Sequence, residues 1–489
     1  MLYSRTPCYN LNMQLPQEVE EILEKLKSAG HEAYVVGGCV RDVLQGREPQ
    51  DWDVTTSATV ETIQKLFPEN VYENNFGTVS VETCSETPSL KFIEITPFRS
   101  DGEYADHRHP LDVTFVSSLL EDLARRDFTI NAMAHDGTVL TDPFGGEKDL
   151  QKRIISCVGN PNERFNEDAL RMLRAIRFAS QSGFAIEART LKSIHENSKL
   201  IEGMSYERIR DEFTKIILSP FPEKGINTML ETEILQFVAP ELLEGVGIEQ
   251  NKHHVYTVFE HCVKSLQAAQ DMDFSFNVRL ASLLHDIGKP RTRKLINGEW
   301  TFYGHEVVGA RMTENLLKRL HYPTETVSKI THLVRYHMFY YDIDKVTEAG
   351  ARRLLRRVGA DSWQELIELR MSERIGSGVP KAEPYRLRHL QYLVEKASQV
   401  PLSTSQLAID GHDLMKELDV KPGPILGGIL NALLAEVLDD PSKNTKEYLL
   451  KRATELKTED PKKLRLIGEK AKEDREREEE EKIRQHFRV

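Results

Sequence analysis

Cysteine is scarce and unorganised: Cys8, Cys39, Cys84, Cys157 and Cys262 are odd in number, scattered, and form no CxxC pair. A disulfide framework and a cysteine-built zinc cluster are therefore not expected, and a reducing, cytoplasmic compartment fits. Long apolar runs are also missing. No stretch reaches the ~20 residues a membrane helix needs, and the N-terminus lacks a basic region followed by an apolar core. Neither a membrane span nor an export signal is expected. The chain has no excess of basic charge, its net charge being −12. That would argue against a nucleic-acid partner only if charge were evenly spread. It is not, since residues 469–481 are acid-rich while residues 164–177 and 352–357 are locally basic. With 489 residues, 39% of them hydrophobic, the chain can bury the cores of roughly two to four ordinary domains.

The stretch around which the rest is organised is residues 34–56, YVVGGCVRDVLQGREPQDWDVTT. Tyr34, Val35 and Val36 form the short apolar run of a buried strand. Gly37 and Gly38 follow, where a backbone without Cβ can turn sharply and admit a phosphate. Residues 40–44 then read as the first turns of a helix, with unpaired N–H groups facing the glycines. Asp51 and Asp53 flank Trp52 and, on a strand, would share a face. Two neighbouring carboxylates call for a cation between them, and hard oxygen ligands suit Mg²⁺. The combination could hold a metal-bound triphosphate, although GG followed by DxD is by itself a common pattern.

Before this stretch, apolar residues at helical spacing over residues 17–29 predict a helix that stops at Gly30. After it, residues 57–61 read as a cap into a helix closing near Pro68, and residues 76–82 and 90–96 as two strands of a hairpin or meander. Glu94, near the end of the second, is either a third carboxylate near the metals or a solvent-facing strand residue. Residues 98–110, FRSDGEYADHRHP, read as a mobile loop. In EDLARRDFTINAMA, Arg125 and Arg126 beside Asp127 suit a triphosphate and its supporting network, although the segment taken alone reads first as a helix with i,i+4 ion pairs. The turn DPFGG at residues 142–146 marks the first domain boundary.

Residues 166–178, NEDALRMLRAIRF, read as one strong helix with arginines at every third position, Arg171, Arg174 and Arg177. Asp168 and Arg171 would then leave the same helical face, able to read a base edge by accepting from an amine and donating to ring acceptors. An intrahelical ion pair would use the same two residues. Residues 204–218 predict a further helix capped by Ser205. A second constellation follows: His261, His285 with Asp286, His305 and His337, on successive apolar segments, can hold a divalent metal. Residues 350–370 and 402–438 are helical by period, the second interrupted by KPGPILGG, and residues 458–489 form a charged tail. Arg352, Arg353, Arg356 and Arg357 are either phosphate contacts or a solvated helix face.

Taken together these motifs resemble the bacterial tRNA nucleotidyltransferase family, the CCA-adding enzymes and their poly(A) polymerase relatives. GGCVRD with DWD is similar to the family's first motif, RRDFTINAMA to its second, NEDALRMLRAIRF to its nucleotide-selecting motif, and YERIRDEF to the helix motif after it. The likeness runs from residue 34 to about residue 444. It implies an α+β chain: a nucleotidyltransferase head on a mixed β-sheet (15–150), then an all-α neck (151–225), an HD-type body (226–375), a helical tail domain (376–450) and a charged extension (451–489). It implies template-independent addition of CCA to the 3′ end of tRNA from CTP and ATP, with release of pyrophosphate. Asp51 and Asp53 would hold two Mg²⁺ ions, with Glu94 nearby. Gly38, Arg41, Arg125 and Arg126 would hold the phosphates. Asp168 and Arg171 would read the base, with Arg174 and Arg177 in support.

Within the family, residues 98–110 resemble the loop that switches between CTP and ATP, which argues against a CC-only enzyme. An A-adding enzyme or a poly(A) polymerase shares every motif named. The histidine region resembles the HD phosphohydrolase domain, with a second divalent metal. There the usual closing Ala-Asp is replaced by Leu369-Arg370-Met371-Ser372-Glu373, which puts hydrolysis in doubt. An HD phosphohydrolase with a binding head and a non-catalytic RNA-binding protein are the readings from other classes.

Overall fold

A computed structural model describes residues 8–9, 14–72, 77–101, 113–116, 118–250, 255–339, 348–378, 385–398, 404, 407–418 and 423–457. The chain divides into two compact units, Met1–Val334 with Gly376–Gly378, and Arg335–Ile375 with Val379–Val489.

The first unit opens on a mixed sheet. Its centre is Ala33–Val36, which pairs antiparallel with Asp53–Thr56 on one side and Ala134–His135 on the other. Val35, Val36 and Val54 are buried there, as β-branched residues on a sheet covered from both faces should be. Asp53–Thr56 runs parallel to Phe92–Pro97, with Asp53 opposite Glu94, and Val79–Glu82 pairs antiparallel beyond it. The helix Gln17–Ser28 turns Val19, Ile22, Leu23 and Leu26 inward, at the spacing the sequence predicts. Residue 76 of the expected strand and residues 102–110 of the expected loop lie outside the described residues. On either side of residues 102–112, Arg99–Asp101 pairs with Val113–Phe115.

Helices take over from residue 146. Pro161–Glu167 and Leu170–Ser182 are two helices rather than the single one expected. The break is Asp168, which is extended (φ −139°, ψ 105°) and accepts from the Leu170 backbone N–H at 3.0 Å. A short acidic side chain that satisfies the next helix's first donors caps it and stops the one before. Leu170–Ser182 buries Met172, Leu173, Ala175 and Ile176 and packs on Tyr206–Ile217 and Pro222–Glu231. Val258–Asp271 starts with a Thr257/Glu260 capping box, packs on Phe276–Leu284, and is followed by His305–Arg319.

The second unit is helical, with Leu407, Ile409, Leu414, Ile429, Leu433 and Leu449 in a common core. The two helices expected over residues 402–438 on either side of a Pro/Gly turn are Gly411–Leu418 and Pro424–Asp439. Arg352 is 3% exposed and donates to the Asp439 carbonyl, so it is not a surface phosphate contact. Its neighbours on the helix's outer face, Arg356 and Arg357, are exposed. Glu373 pairs with Arg370 at 2.5 Å, and the Ser372 hydroxyl donates to the Glu368 carbonyl. Residues 458–489 lie outside the described residues.

Candidate functional site

In the first unit a cavity of about 440 Å³ is lined by the glycine turn, both aspartates and the first turns of Leu170–Ser182. Gly37 carries the turn: at φ 79° it ends the strand and caps the helix Gly38–Leu44. A Cβ there would stand 3.0 Å from an Arg126 side-chain nitrogen and 3.7 Å from an Asp53 carboxylate oxygen. Glycine is needed for both its dihedral and its bareness.

Asp53 begins its strand, while Asp51 precedes it, so the expectation that both lie on a strand holds only for Asp53. Both still line the cavity. Burial, then the Asp51 charge, push the Asp53 carboxyl up to about 6, with Arg126 opposing and Glu94 adding to the rise. Removed from water beside a second carboxylate, the ionised form of Asp53 is disfavoured unless positive charge stands next to it. The donor set is all oxygen, and it fits a hard divalent ion. Glu94 is exposed on the neighbouring strand, opposite Asp53 in register and outside the cavity wall.

Facing the aspartates are Arg41, Arg125, Arg126, Arg171, Arg174 and Arg208. Each is fixed by a partner. Arg125 and Arg126 stand just past the end of Leu119–Ala124, at i,i+3 and i,i+4 from Asp122, the ion-pair spacing the sequence also allowed. They fold back onto Asp122, fully buried, at 2.8 and 3.3 Å. Burial would raise the Asp122 carboxyl, but the two guanidiniums hold it below its ordinary value. Arg174 forms a forked pair with Asp127 (2.8 and 2.7 Å), and Asp127 also accepts from Asn131 and the Phe128 backbone. Arg41 donates to Asn131 at 2.8 Å. Arg177 lies behind the wall, paired with Glu212 at 3.0 Å.

The two expected base-reading residues line the cavity together, yet not as a pair from one helical face. Arg171 is held by Glu167 at 2.5 Å and donates to the Arg164 and Arg125 carbonyls. Asp168 is held instead by Arg208 at 2.8 Å. Sequence reasoning missed Asp122, Asn131, Phe178 and Arg208. The i−3 and i−4 spacing of Asp122 to the two arginines was available as a signal; nothing local joins Arg208 to Asp168, 40 positions apart.

A second cluster in the same unit centres on Asp286. His261 and His285 reach one of its carboxylate oxygens at 3.4 and 3.2 Å, and His305 the other at 3.2 Å. Lys289 stands 2.6 Å away. All four ligand candidates are buried. The His285 and His305 Nδ1 atoms face the Ser282 and Phe302 carbonyls at 2.9 and 2.8 Å. A carbonyl only accepts, so Nδ1 carries a proton in both rings and Nε2 is the atom turned toward the carboxylate. Such a set suits a divalent metal. Burial would raise the Asp286 carboxyl, but His285, Lys289 and the hydrogen bonds from His285 and His305 hold it well below its ordinary value. His337 belongs to the second unit.

Residues 33–156 match the poly A polymerase head domain, residues 183–245 the probable RNA and SrmB-binding site of polymerase A, and residues 258–372 the HD domain. The CCA-adding enzyme of Ligilactobacillus salivarius is 34% identical over 451 residues, covering 90% of this chain and 98% of that protein. That of Pediococcus pentosaceus is 31% identical, covering 91% and 100%. The crystal structure of the Bacillus stearothermophilus CCA-adding enzyme in complex with CTP is similar with a TM-score of 0.64, at 26% identity, over 90% of this chain and 98% of that one. A Thermotoga maritima CCA-adding enzyme complexed with tRNA shares the fold, with a TM-score of 0.56 at 21% identity. No helix among the described residues is long and apolar enough to cross a membrane.

Proposed function

We propose, for a chain that belongs to the family of CCA-adding enzymes, that it completes the 3′ end of tRNA with CTP and ATP in the cytoplasm, using the cavity between Asp53 and Arg171. The observation that carries this reading is a cavity with carboxylates on one wall and fixed arginines on the other, next to an Asp–Arg combination suited to a base. Asp51 and Asp53, with Glu94 beside them, are the residues to hold Mg²⁺, which when bound supplies positive charge at the α-phosphate and acidifies the attacking 3′-hydroxyl. The backbone at Gly37 and Gly38 admits the phosphates closely, at the start of a helix. Arg41, Arg125 and Arg126 bind phosphate oxygens through forked donors, already oriented by Asp42, Asn131 and Asp122.

Asp168 accepts from the exocyclic amine that cytosine and adenine both carry, and Arg171 donates to ring acceptors, so the protein itself takes the place of a template. Uracil and guanine carry a carbonyl oxygen at the position where cytosine and adenine carry that amine. Asp168→Ala is therefore expected to lower incorporation of CTP and ATP by roughly 10–100-fold, as loss of a charged hydrogen bond does, while leaving UTP unchanged. Ratios of kcat/KM for the four nucleotides on one tRNA test this. Unaltered discrimination would remove Asp168 from base reading.

The histidine cluster favours a second centre beside this one. We assign His261, His285, Asp286 and His305 to a divalent metal. The full chain carrying Asp51→Ala and Asp53→Ala is expected to bind Mn²⁺ still. Adding His285→Ala should weaken that binding by about 100-fold or more, beyond the 10–100-fold typical of outer-shell partners. Equilibrium dialysis reads both results, and no binding before His285 is changed would contradict the assignment.

A further inference from the structure

The nucleotide-selecting helix ends its cavity-facing row with an aromatic residue to which neither the sequence motifs nor the proposed chemistry gives a task. Phe178 lines the cavity. Its ring is half-buried, backed edge-on by Phe128 with centroids 5.7 Å apart and an interplanar angle of 79°. Three guanidiniums converge on this one ring: Arg177 at 4.2 Å, Arg41 at 5.4 Å and Arg174 at 5.5 Å from its centroid. They come from two different elements, Arg41 from the helix after the glycine turn and the other two from Phe178's own helix.

Three like charges around one point repel each other, although each has a carboxylate partner away from the ring. Arg174 pairs with Asp127, Arg177 with Glu212, and Arg41 with Asp42 and Asn131. A π-face carries negative quadrupole charge, so an aromatic ring attracts the guanidiniums that would otherwise push apart. An aliphatic side chain of similar volume would fill the space and give none of that attraction. Arg41 and Arg174 are also cavity-lining residues, so whatever sets their spacing sets where positive charge faces a ligand.

We infer that Phe178 is a positioning residue for the triphosphate: its ring holds Arg41 and Arg174 apart and aimed into the cavity, so that the phosphates common to every substrate meet a prearranged cationic wall. This rests on the proposed nucleotide site. It differs from base stacking, the other use of an aromatic ring in such a cavity. A stacking ring contacts the base and favours the larger purine. A ring that spaces arginines acts only on what all nucleotides share.

The experiment compares Phe178→Leu, which keeps an apolar side chain, with Phe178→Tyr, which keeps the π-face. Binding of CTP, ATP and inorganic tripolyphosphate to the full chain is measured at equilibrium without tRNA, with melting temperature as a control for folding. Phe178→Leu is expected to weaken all three ligands by a similar factor of roughly ten, the loss of one or two cation–π contacts, with the CTP-to-ATP ratio unchanged. Phe178→Tyr should restore wild-type binding. Loss of ATP affinity greater than that of CTP, with tripolyphosphate unaffected, would make the ring a stacking platform and overturn the inference. So would a leucine variant that binds like wild type. Failure of the wild-type protein to bind CTP or ATP at all would instead count against the nucleotide site itself.

Discussion

Asp53→Asn is expected to abolish nucleotide addition and, in metal-free buffer, to make the protein more stable. The first effect follows from removing a carboxylate proposed to hold the divalent ion. Metal stabilisation of developing charge is worth several kcal/mol, so the rate should fall by about a thousandfold or more. The second follows from the strain at that carboxyl. Burial and the Asp51 charge push it up to about 6, against ~3.9 in an unfolded chain. The fold therefore favours the protonated form. That contribution is fully present below about pH 4 and is lost as pH rises through about 6.

Ionised Asp53 then costs the metal-free protein roughly 2–3 kcal/mol at pH 7.5, a cost asparagine does not incur. In thermal melts with a chelator, the variant should gain on wild type steadily from pH 4 to pH 7.5. Added Mg²⁺ should close the gap by stabilising only wild type. A variant no more stable than wild type at pH 7.5 would show that the Asp53 carboxylate is not strained.

Asp127→Ala is expected to be the most destabilising single change at the site. Asp127 is buried, and it joins the Arg174 guanidinium, the Asn131 amide and the Phe128 backbone in one network. Burial would raise its carboxyl, but Arg174 above all holds it below its ordinary value. Removing one partner of a buried pair leaves an uncompensated charge, a loss of about 3–5 kcal/mol. The double change Asp127→Ala with Arg174→Met removes both charges and should recover part of that loss, which urea melts of the two single variants and the double would resolve. Additive losses would mean the two residues are not coupled. Nucleotide binding should fall in every one of these variants, since Arg174 faces the cavity.

Much of this was legible in the sequence because the signals are local. The apolar run and the glycine turn of residues 34–56 follow from period and backbone freedom, and with the two aspartates they specify one corner of the cavity, although Asp51 lies before the strand rather than on it. Helices Gln17–Ser28 and Tyr206–Ile217 showed their buried faces in the spacing of apolar residues. The histidines announced a cluster by type, although spacing alone could not say that Lys289 would share it.

What failed was pattern continued through a cap. Residues 166–178 keep a helical period, yet Asp168 satisfies the Leu170 N–H and ends the first helix, which redirects its carboxylate to Arg208. The arginine run at residues 352–357 misled similarly, since basic residues at a helix surface look alike whether they meet solvent or, like Arg352, a neighbouring carbonyl. Pairings across tens of residues, such as Arg174 with Asp127 and Arg177 with Glu212, are set by the packing of Leu170–Ser182, which no local signal carries.

One cavity, reading bases with its own side chains, is expected to add three nucleotides in order. Extension of tRNA lacking CCA, and separately of tRNA ending in CC, with Mg²⁺ and CTP, ATP or both, resolved to single nucleotides, tests this. Two additions with CTP alone on the first tRNA, completion to CCA when ATP is present, and one adenosine on the second are the predicted results. Addition of A to the CC-ended tRNA alone would make this an A-adding enzyme and contradict the account, as would a growing tail of adenosines or no extension of either tRNA.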